Sequence, residues 1–239
     1  VELIDLSAQS FRNLSASGFR FSQSTNVVLG ANGAGKTSLL EALVVLGNLR
    51  SFRTNSLRRA VRHGANTFRL TGTVSLNDRT HRLEQVVEIG PPISRALRVD
   101  GAPVDVERYL QFLPVFAISG HDRELVEGGP DGRRAFLDRF VFLLRPRYIE
   151  ELRAYRRTLR QRNAALIVGS SDDEIAAWEA PLASAAARVV VARQQGAAVL
   201  VDRFAEVWKE LSMSASPPIT LDYRSEPWSG PSEEVEKVE

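Results

Sequence analysis

The residues best placed to do chemistry are Gly30-Ala31-Asn32-Gly33-Ala34-Gly35-Lys36-Thr37. Their spacing fits G-x-x-x-x-G-K-[ST], the phosphate-binding P-loop. The glycines let the backbone bend so that successive N–H groups converge on phosphate oxygens. A helix that begins at the loop adds its unpaired N–H groups and its dipole. Lys36 would reach the β- and γ-phosphates of a nucleoside triphosphate, and the Thr37 hydroxyl would hold Mg²⁺. Ser38 completes the candidate cradle. The bland alternative is a glycine-rich turn with a stray lysine. The chain has only three lysines, Lys36, Lys209 and Lys237, and one stands where the motif needs it.

The flanks supply the context. Asn26-Val27-Val28-Leu29 is apolar and β-branched and predicts a buried strand feeding the loop. Ser38 to Leu46 is apolar at helical spacing and predicts a helix over about 37–47. Upstream, Val1–Leu6 alternates as a strand, Ser10–Leu14 turns, and Gly18–Phe21 makes a second short strand. Downstream come an irregular basic stretch at Arg50–Thr54 and a short helix near 56–62. A run of antiparallel strands follows over 67–99, with turns at Asn77-Asp78 and Asp100-Gly101. Pro114–Ile118 reads as one more apolar strand. The first ~118 residues thus combine parallel-type and antiparallel strands around one helix.

Beyond that the pattern turns helical. Gly129-Pro130-Asp131 starts a helix, and a longer one covers about 146–167. Tyr148, Leu152, Tyr155, Leu159 and Leu166 share one face at 3.6-residue spacing. Arg153, Arg156, Arg157 and Arg160 form a separate basic stripe, which is either a solvated face or a surface for a polyanion or an acidic partner. One Ala-rich helix is expected from about 173 to 211, packed on the 146–167 helix. Its seam runs from Trp178 to Val199, then shifts to Leu200, Phe204, Val207 and Leu211, and Gly196 is a candidate kink. Ile219–Tyr223 reads as a lone strand before a Pro-, Ser- and Glu-rich tail.

Bulk properties narrow the class. With 239 residues the chain can bury a sizeable core in one large or two small domains. It has no cysteine, which removes disulfides and thiolate metal sites. No run of ~18 apolar residues suggests a membrane span, and the N-terminus lacks a signal-peptide layout. The expectation is a cytoplasmic protein with no membrane role and a processed or trimmed start. Net charge is +2, but it is unevenly spread. Ala42 to Arg69 holds Arg50, Arg53, Arg58, Arg59, Arg62 and Arg69 and no acid, while Asp222 to Glu239 is acidic.

With those residues in hand, the chain resembles RecF, the DNA replication and repair ATPases of the ABC/SMC-like class. Four blocks carry the resemblance: Ser10–Leu14; Leu29–Ala42 with Arg50–Arg53 after it; Glu124–Pro130 through Arg133–Asp138; and Leu159–Leu166. It runs from residue 1 to about 225. It implies an α/β P-loop head with a mixed sheet around the loop helix and a helical second lobe. Residues 1–118 would be the ATP-binding lobe I, 119–212 the helical lobe II, and 213–239 a strand and acidic tail. It implies ATP and Mg²⁺ as cofactors, with Arg12 and Asn13 approaching the nucleotide. It also implies a homodimer formed on ATP, single-stranded and gapped duplex DNA as ligand, and partners of the RecR and RecO type that support RecA loading and the SOS response. Arg50, Arg53, Arg58, Arg59 and Arg62, and the stripe Arg153, Arg156, Arg157 and Arg160, are the candidate DNA contacts.

Two departures qualify it. Ser119-Gly120-His121-Asp122 stands where the family has Ser-Pro-Glu-Asp. Neither an LSxGQ-like signature nor a Walker B strand is found. Val199–Arg203 comes nearest to a Walker B but sits in a helical pattern. The C-terminal part of the head is therefore expected to be missing, through truncation or an incomplete gene model. No catalytic residue is assigned, and the isolated chain is expected to hydrolyse poorly. The alternative is another P-loop ATPase or kinase of the ABC/SMC-like group that does not act in gap repair.

Overall fold

The computed structural model describes residues 1–14, 18–54, 56–118, 123–212 and 222–224. The chain divides into two compact units, Val1–Gly120 and His121–Glu239.

The first unit is a six-stranded sheet with one long helix against it. Its strands are β1 (Glu2–Gln9), β2 (Gly18–Arg20), β3 (Thr67–Leu76), β4 (Arg79–Glu88), β5 (Ser94–Val99) and β6 (Ala102–Pro103), in the order β2-β1-β3-β4-β5-β6. The hairpin between β3 and β4 turns on Asn77 and Asp78, both in the left-handed region, as a two-residue turn requires. Alternation along each strand sends Leu6, Ala8, Phe68, Leu70, Val74, Leu83, Val87, Leu97 and Val99 inward. They meet Leu39, Ala42, Val45 and Leu46 of α1 (Lys36–Asn48). Gly72 on β3 lets the helix come close, since a Cβ there would lie 2.6 Å from Leu46 Cδ2. A 3-10 turn at Leu57–Ala60 and the short helix α2 (Val106–Leu110), capped by Asp105, complete the unit. Nothing in the sequence pattern had suggested α2.

Three expectations for this unit need correcting. All described strand pairs are antiparallel, so the parallel-type contribution is absent among the described residues. Asn26–Leu29 is not a strand. Val27 and Leu29 are 73% and 86% exposed. A strand exists only where a neighbour takes its N–H and C=O groups, and none of the described strands pairs with this segment. Pro114–Ile118 is not a strand either. It is held instead by α1, whose Asn48 Nδ2 donates to Val115 O at 2.6 Å.

The second unit is helical: α3 (Glu124–Glu127), α4 (Pro130–Leu144), α5 (Tyr148–Val168), α6 (Asp172–Ala176) and α7 (Glu179–Leu211). Its core is Leu137 and Val141 of α4, Tyr148 and Leu152 of α5, and Val189, Ala192 and Ala197 of α7. Gly196 marks a close approach, because a Cβ there would meet Val141 Cγ2 at 2.4 Å. The single helix expected from 173 is split in two. Pro181 cannot donate to Ala177 O and its ring crowds that carbonyl, so the chain turns at Ala177-Trp178 before α7 begins. The apolar face of α5 runs out of partners, leaving Leu166 exposed, as are Val207 and Leu211 of the shifted α7 seam. Val199–Arg203 lies within α7.

By length and composition the stretch Asp172–Leu211 is apolar enough to cross a membrane, one 18-residue window within it reaching a mean hydropathy of 1.3. Its buried face carries Arg193 and packs on α4 and α5, while 17% of that window is buried. Of the Ile219–Tyr223 strand, residues 219–221 lie outside the described residues, and Asp222 and Tyr223 are not in a strand. The tail 225–239 and the Ser119–Asp122 segment also lie outside them.

Candidate functional site: a phosphate loop on a cationic wall

Lys36, Thr37 and Ser38 form the first turn of α1, and Gly35 caps it with φ 100°. A side chain at Gly35 would also approach Leu14 Cδ2 to 3.2 Å, so glycine is needed there twice over. Gly33 (φ 82°) and Gly30 (φ 155°) take the other positive angles of the loop. Gly30, Ala31, Asn32, Gly33 and Ala34 are otherwise exposed. Lys36 folds back across the loop, with Nζ donating to Gly30 O at 2.6 Å and Ala31 O at 2.9 Å. Those are exchangeable contacts for a cation that an anionic ligand could draw off.

The segment after β1 braces the loop from one side. Asn13 Nδ2 donates to Gly33 O at 2.8 Å, and its Oδ1 accepts from Ser38 Oγ at 2.7 Å. Ser10 and Arg12 have φ 53° and 49°, an unfavourable choice for residues with a Cβ. What holds them is a set of bonds to the 3-10 turn and the stretch after it. Arg12 N donates to Ala60 O and Arg62 N to Ser10 O, both at 2.8 Å. Arg62 Nη2 also donates to Leu14 O.

Beneath the loop, Arg12 grips Glu41 of α1 with both arms, Nε to Oε2 at 2.9 Å and Nη2 to Oε1 at 2.7 Å. Ser51 Oγ donates to Glu41 Oε1 at 2.6 Å, and Arg53 Nη1 to Oε2 at 3.2 Å. A cavity of about 840 Å³ opens over this floor. Asn13, Asn32 and the loop line one part of it, and Arg12, Arg53, Arg59, Val61, Arg62 and His63 the rest. Its volume lies within the range of small-molecule sites, and its lining of N–H donors, guanidinium groups and one lysine suits a polyphosphate. Thr37 also lines the cavity, and its hydroxyl would hold a phosphate-bound Mg²⁺.

The structure thus brings Arg53, Arg59 and Arg62 to the same cavity as the phosphate loop. Arg58 Nη2 is bound to Gly90 O. Arg50 lies close enough to Arg95 that, after the partial loss of solvent around Arg95 itself, its charge lowers the Arg95 pKa. On α5, Arg153, Arg157 and Arg160 are exposed, whereas Arg156 Nη2 is tied to Asp138 Oδ2 at 3.2 Å. Glu41, Ser51, Val61 and His63 had no assigned role in the sequence. Glu41 left a trace there, as the last acid before a stretch of six arginines, placed four residues after Thr37 on an apolar helix face.

The RecF/RecN/SMC N terminal domain model matches residues 2–121. The protein called DNA replication and repair protein RecF in Anaeromyxobacter sp. (strain Fw109-5) is 38% identical over 240 residues, spanning all of this chain and 63% of the relative. The Myxococcus xanthus protein of the same name is 35% identical over 227 residues, covering 94% of this chain and 59% of its own length. The chain therefore spans about three fifths of the relatives it matches. A solved structure described as the recombination mediator protein RecF-ATPrS of the RecFOR pathway superposes with a TM-score of 0.80 at 25% identity, over 88% of this chain and 58% of that one. A second, described as RecF-ATP, gives 0.77 at 25% identity.

Proposed function

Since the chain belongs to the RecF/RecN/SMC N-terminal domain family, with matches along its length to RecF proteins, we propose that it binds ATP in the Gly30–Thr37 loop and acts as an ATP-dependent DNA-binding protein of replication and recombinational repair in the cytoplasm. The observation that carries this is the shared cavity: a P-loop on a helix N-terminus, faced by Arg12, Asn13, Arg53, Arg59 and Arg62. The loop amides and Lys36 would hold the phosphates, and Thr37 would hold Mg²⁺, which supplies charge neutralisation when bound. Solved relatives are described with ATP and ATPrS, which supports that ligand class here.

In this proposal ATP acts mainly as a switch for homodimer formation on single-stranded and gapped duplex DNA, with partners of the RecO and RecR type. Arg153, Arg157 and Arg160 on the exposed face of α5, with Arg50 and Arg58, are the proposed phosphate contacts. Two measurements test it. In the full-length protein Lys36→Ala should abolish ATP binding, and ATP binding unchanged by that substitution would sink the site assignment. Affinity for gapped duplex should fall steeply with salt, and replacing Arg153, Arg157 and Arg160 with alanine should flatten the log–log slope by about one for each phosphate no longer neutralised. An unchanged slope would remove α5 from the DNA surface.

A further inference from the structure

Below the phosphate loop lies a carboxylate that the ATP-site proposal leaves without a task. Glu41 stands one helical turn after Thr37 and its side chain is 0% exposed. A lone charge in that position would be very unfavourable. Here it is met by the two arms of Arg12, by the Ser51 hydroxyl and by Arg53. Two guanidinium groups against one carboxylate leave one net positive charge. That charge is not sealed in. The Arg12 side chain is 21% exposed and that of Arg53 41%, and both line the cavity beside Lys36 and Thr37.

The two arginines come from different loops, one after β1 and one after α1. Each would have many rotamers if it were free, and ordering such side chains on binding is costly. Glu41 removes that cost before a ligand arrives. Ser51 assists, because while its Oγ donates to Glu41 it also accepts from Arg53 N at 2.9 Å and Thr54 N at 3.2 Å, which folds the second loop onto the carboxylate. Stability alone is a poor reason for the arrangement, since apolar packing of similar volume usually does as well as a buried ion pair. We propose that Glu41 is a positioning residue of the triphosphate site: a buried anion that pre-orders Arg12 and Arg53 on the cavity wall and acts on the nucleotide only through them. This rests on the assignment of Gly30–Thr37 as an ATP site.

The test is a double-mutant cycle on ATP affinity, by calorimetric titration of the full-length protein. Glu41→Gln keeps the size of the side chain and removes the charge. Glu41→Gln and Arg53→Ala should each weaken binding about tenfold, and the pair together well short of the hundredfold that independent effects would give. Tripolyphosphate should show the same pattern, because the arginines would act on the phosphates. A residue that only stabilised the fold would leave the affinity of the folded protein unchanged, and one that acted independently of Arg53 would give additive losses; affinities within twofold of the parent, or additive losses, overturn the proposal. If Glu41→Gln does not fold, Ser51→Ala replaces it in the cycle with the same expectation of non-additive loss. A parent protein that binds no ATP, or one whose binding survives Lys36→Ala, overturns the ATP-site assignment itself.

Discussion

Glu41 in the first unit is held by Arg12, Arg53 and the Ser51 hydroxyl. Asp138 in the second is held by Arg156, Arg193 and the Tyr148 hydroxyl. Each is a buried carboxylate with two guanidinium groups and one hydroxyl, yet the partners come from different places. Around Glu41 they lie on loops that border a cavity. Around Asp138, on α4, they lie on α5 and α7, so the same chemistry ties three helices together. Burial by itself lowers the Arg193 pKa, but its hydrogen bond to Asp138 and that carboxylate's charge outweigh it and leave the pKa raised. Where the partners sit on regular elements the cluster fixes packing. Where they sit on loops beside open space it can present cations to a ligand.

The comparison is broken most strongly at Asp138. Asp138→Ala leaves Arg193 buried without its anion, at an expected cost of about 3–5 kcal/mol by urea denaturation. ATP affinity of the folded protein should stay unchanged, in contrast to Glu41→Gln. A stability loss under about 1 kcal/mol would mean the helices do not depend on the cluster.

Close approaches probe the frames on which the clusters stand. Gly47→Ala would set a Cβ 2.4 Å from Val115 Cγ2 and 2.5 Å from Leu113 O in the first unit, and Gly196→Ala would set one 2.4 Å from Val141 Cγ2 in the second. Each should cost about 1–3 kcal/mol. Gly47→Ala should be the worse of the two, because it meets a backbone oxygen as well as a side chain. Thermal unfolding of both variants decides the order.

Tyr148→Phe removes only the hydroxyl bonded to Asp138 at 2.6 Å and should cost about 1.5 kcal/mol. Burial, then the bond to Asp138, raises the Tyr148 pKa above its ordinary value of 10.0. The folded state therefore keeps a proton that the unfolded chain releases above pH 10, so this contribution is complete below pH 10 and is lost as pH rises past it. Stability of the Phe variant should decline less steeply on that alkaline side, and equal slopes would dismiss the linkage.

The smallest effect belongs to an exposed pair. Asp100 Oδ2 meets His81 Nδ1 at 2.8 Å, and Asp100 Oδ1 accepts from Arg82 N at 2.7 Å. The bond to His81 first, then the Arg82 amide, lowers the Asp100 pKa below 3.8. The stability it adds is present above that pH and is lost as pH falls through the depressed value. Asp100→Asn should flatten the acid limb by no more than a few tenths of a kcal/mol, since the pair is open to solvent. A loss as large as that at Asp138 would refute burial as the reason the two carboxylate clusters matter.

Much of this molecule was legible in the sequence. Alternation gave β1, β3, β4 and β5, helical periodicity gave α1, α4 and α5, and the glycine–lysine spacing gave the phosphate loop, because each pattern is local and needs no distant partner to be read. What failed needed one. Asn26–Leu29 and Pro114–Ile118 have the composition of strands, but strandness belongs to a ladder, and no described strand pairs with either. The division at Ala177-Trp178 was in fact written locally, in Pro181, and was outweighed by the long apolar pattern around it. The stripe on α5 followed from periodicity, whereas the diversion of Arg156 to Asp138 depended on how α4 meets α5. Local pattern was enough for the loop, the helix that begins at it and an unusual supply of arginine. That residues 12, 41, 51 and 53 meet was set by the fold, since a buried charge takes its partners from whichever segments are brought within about 3 Å of it.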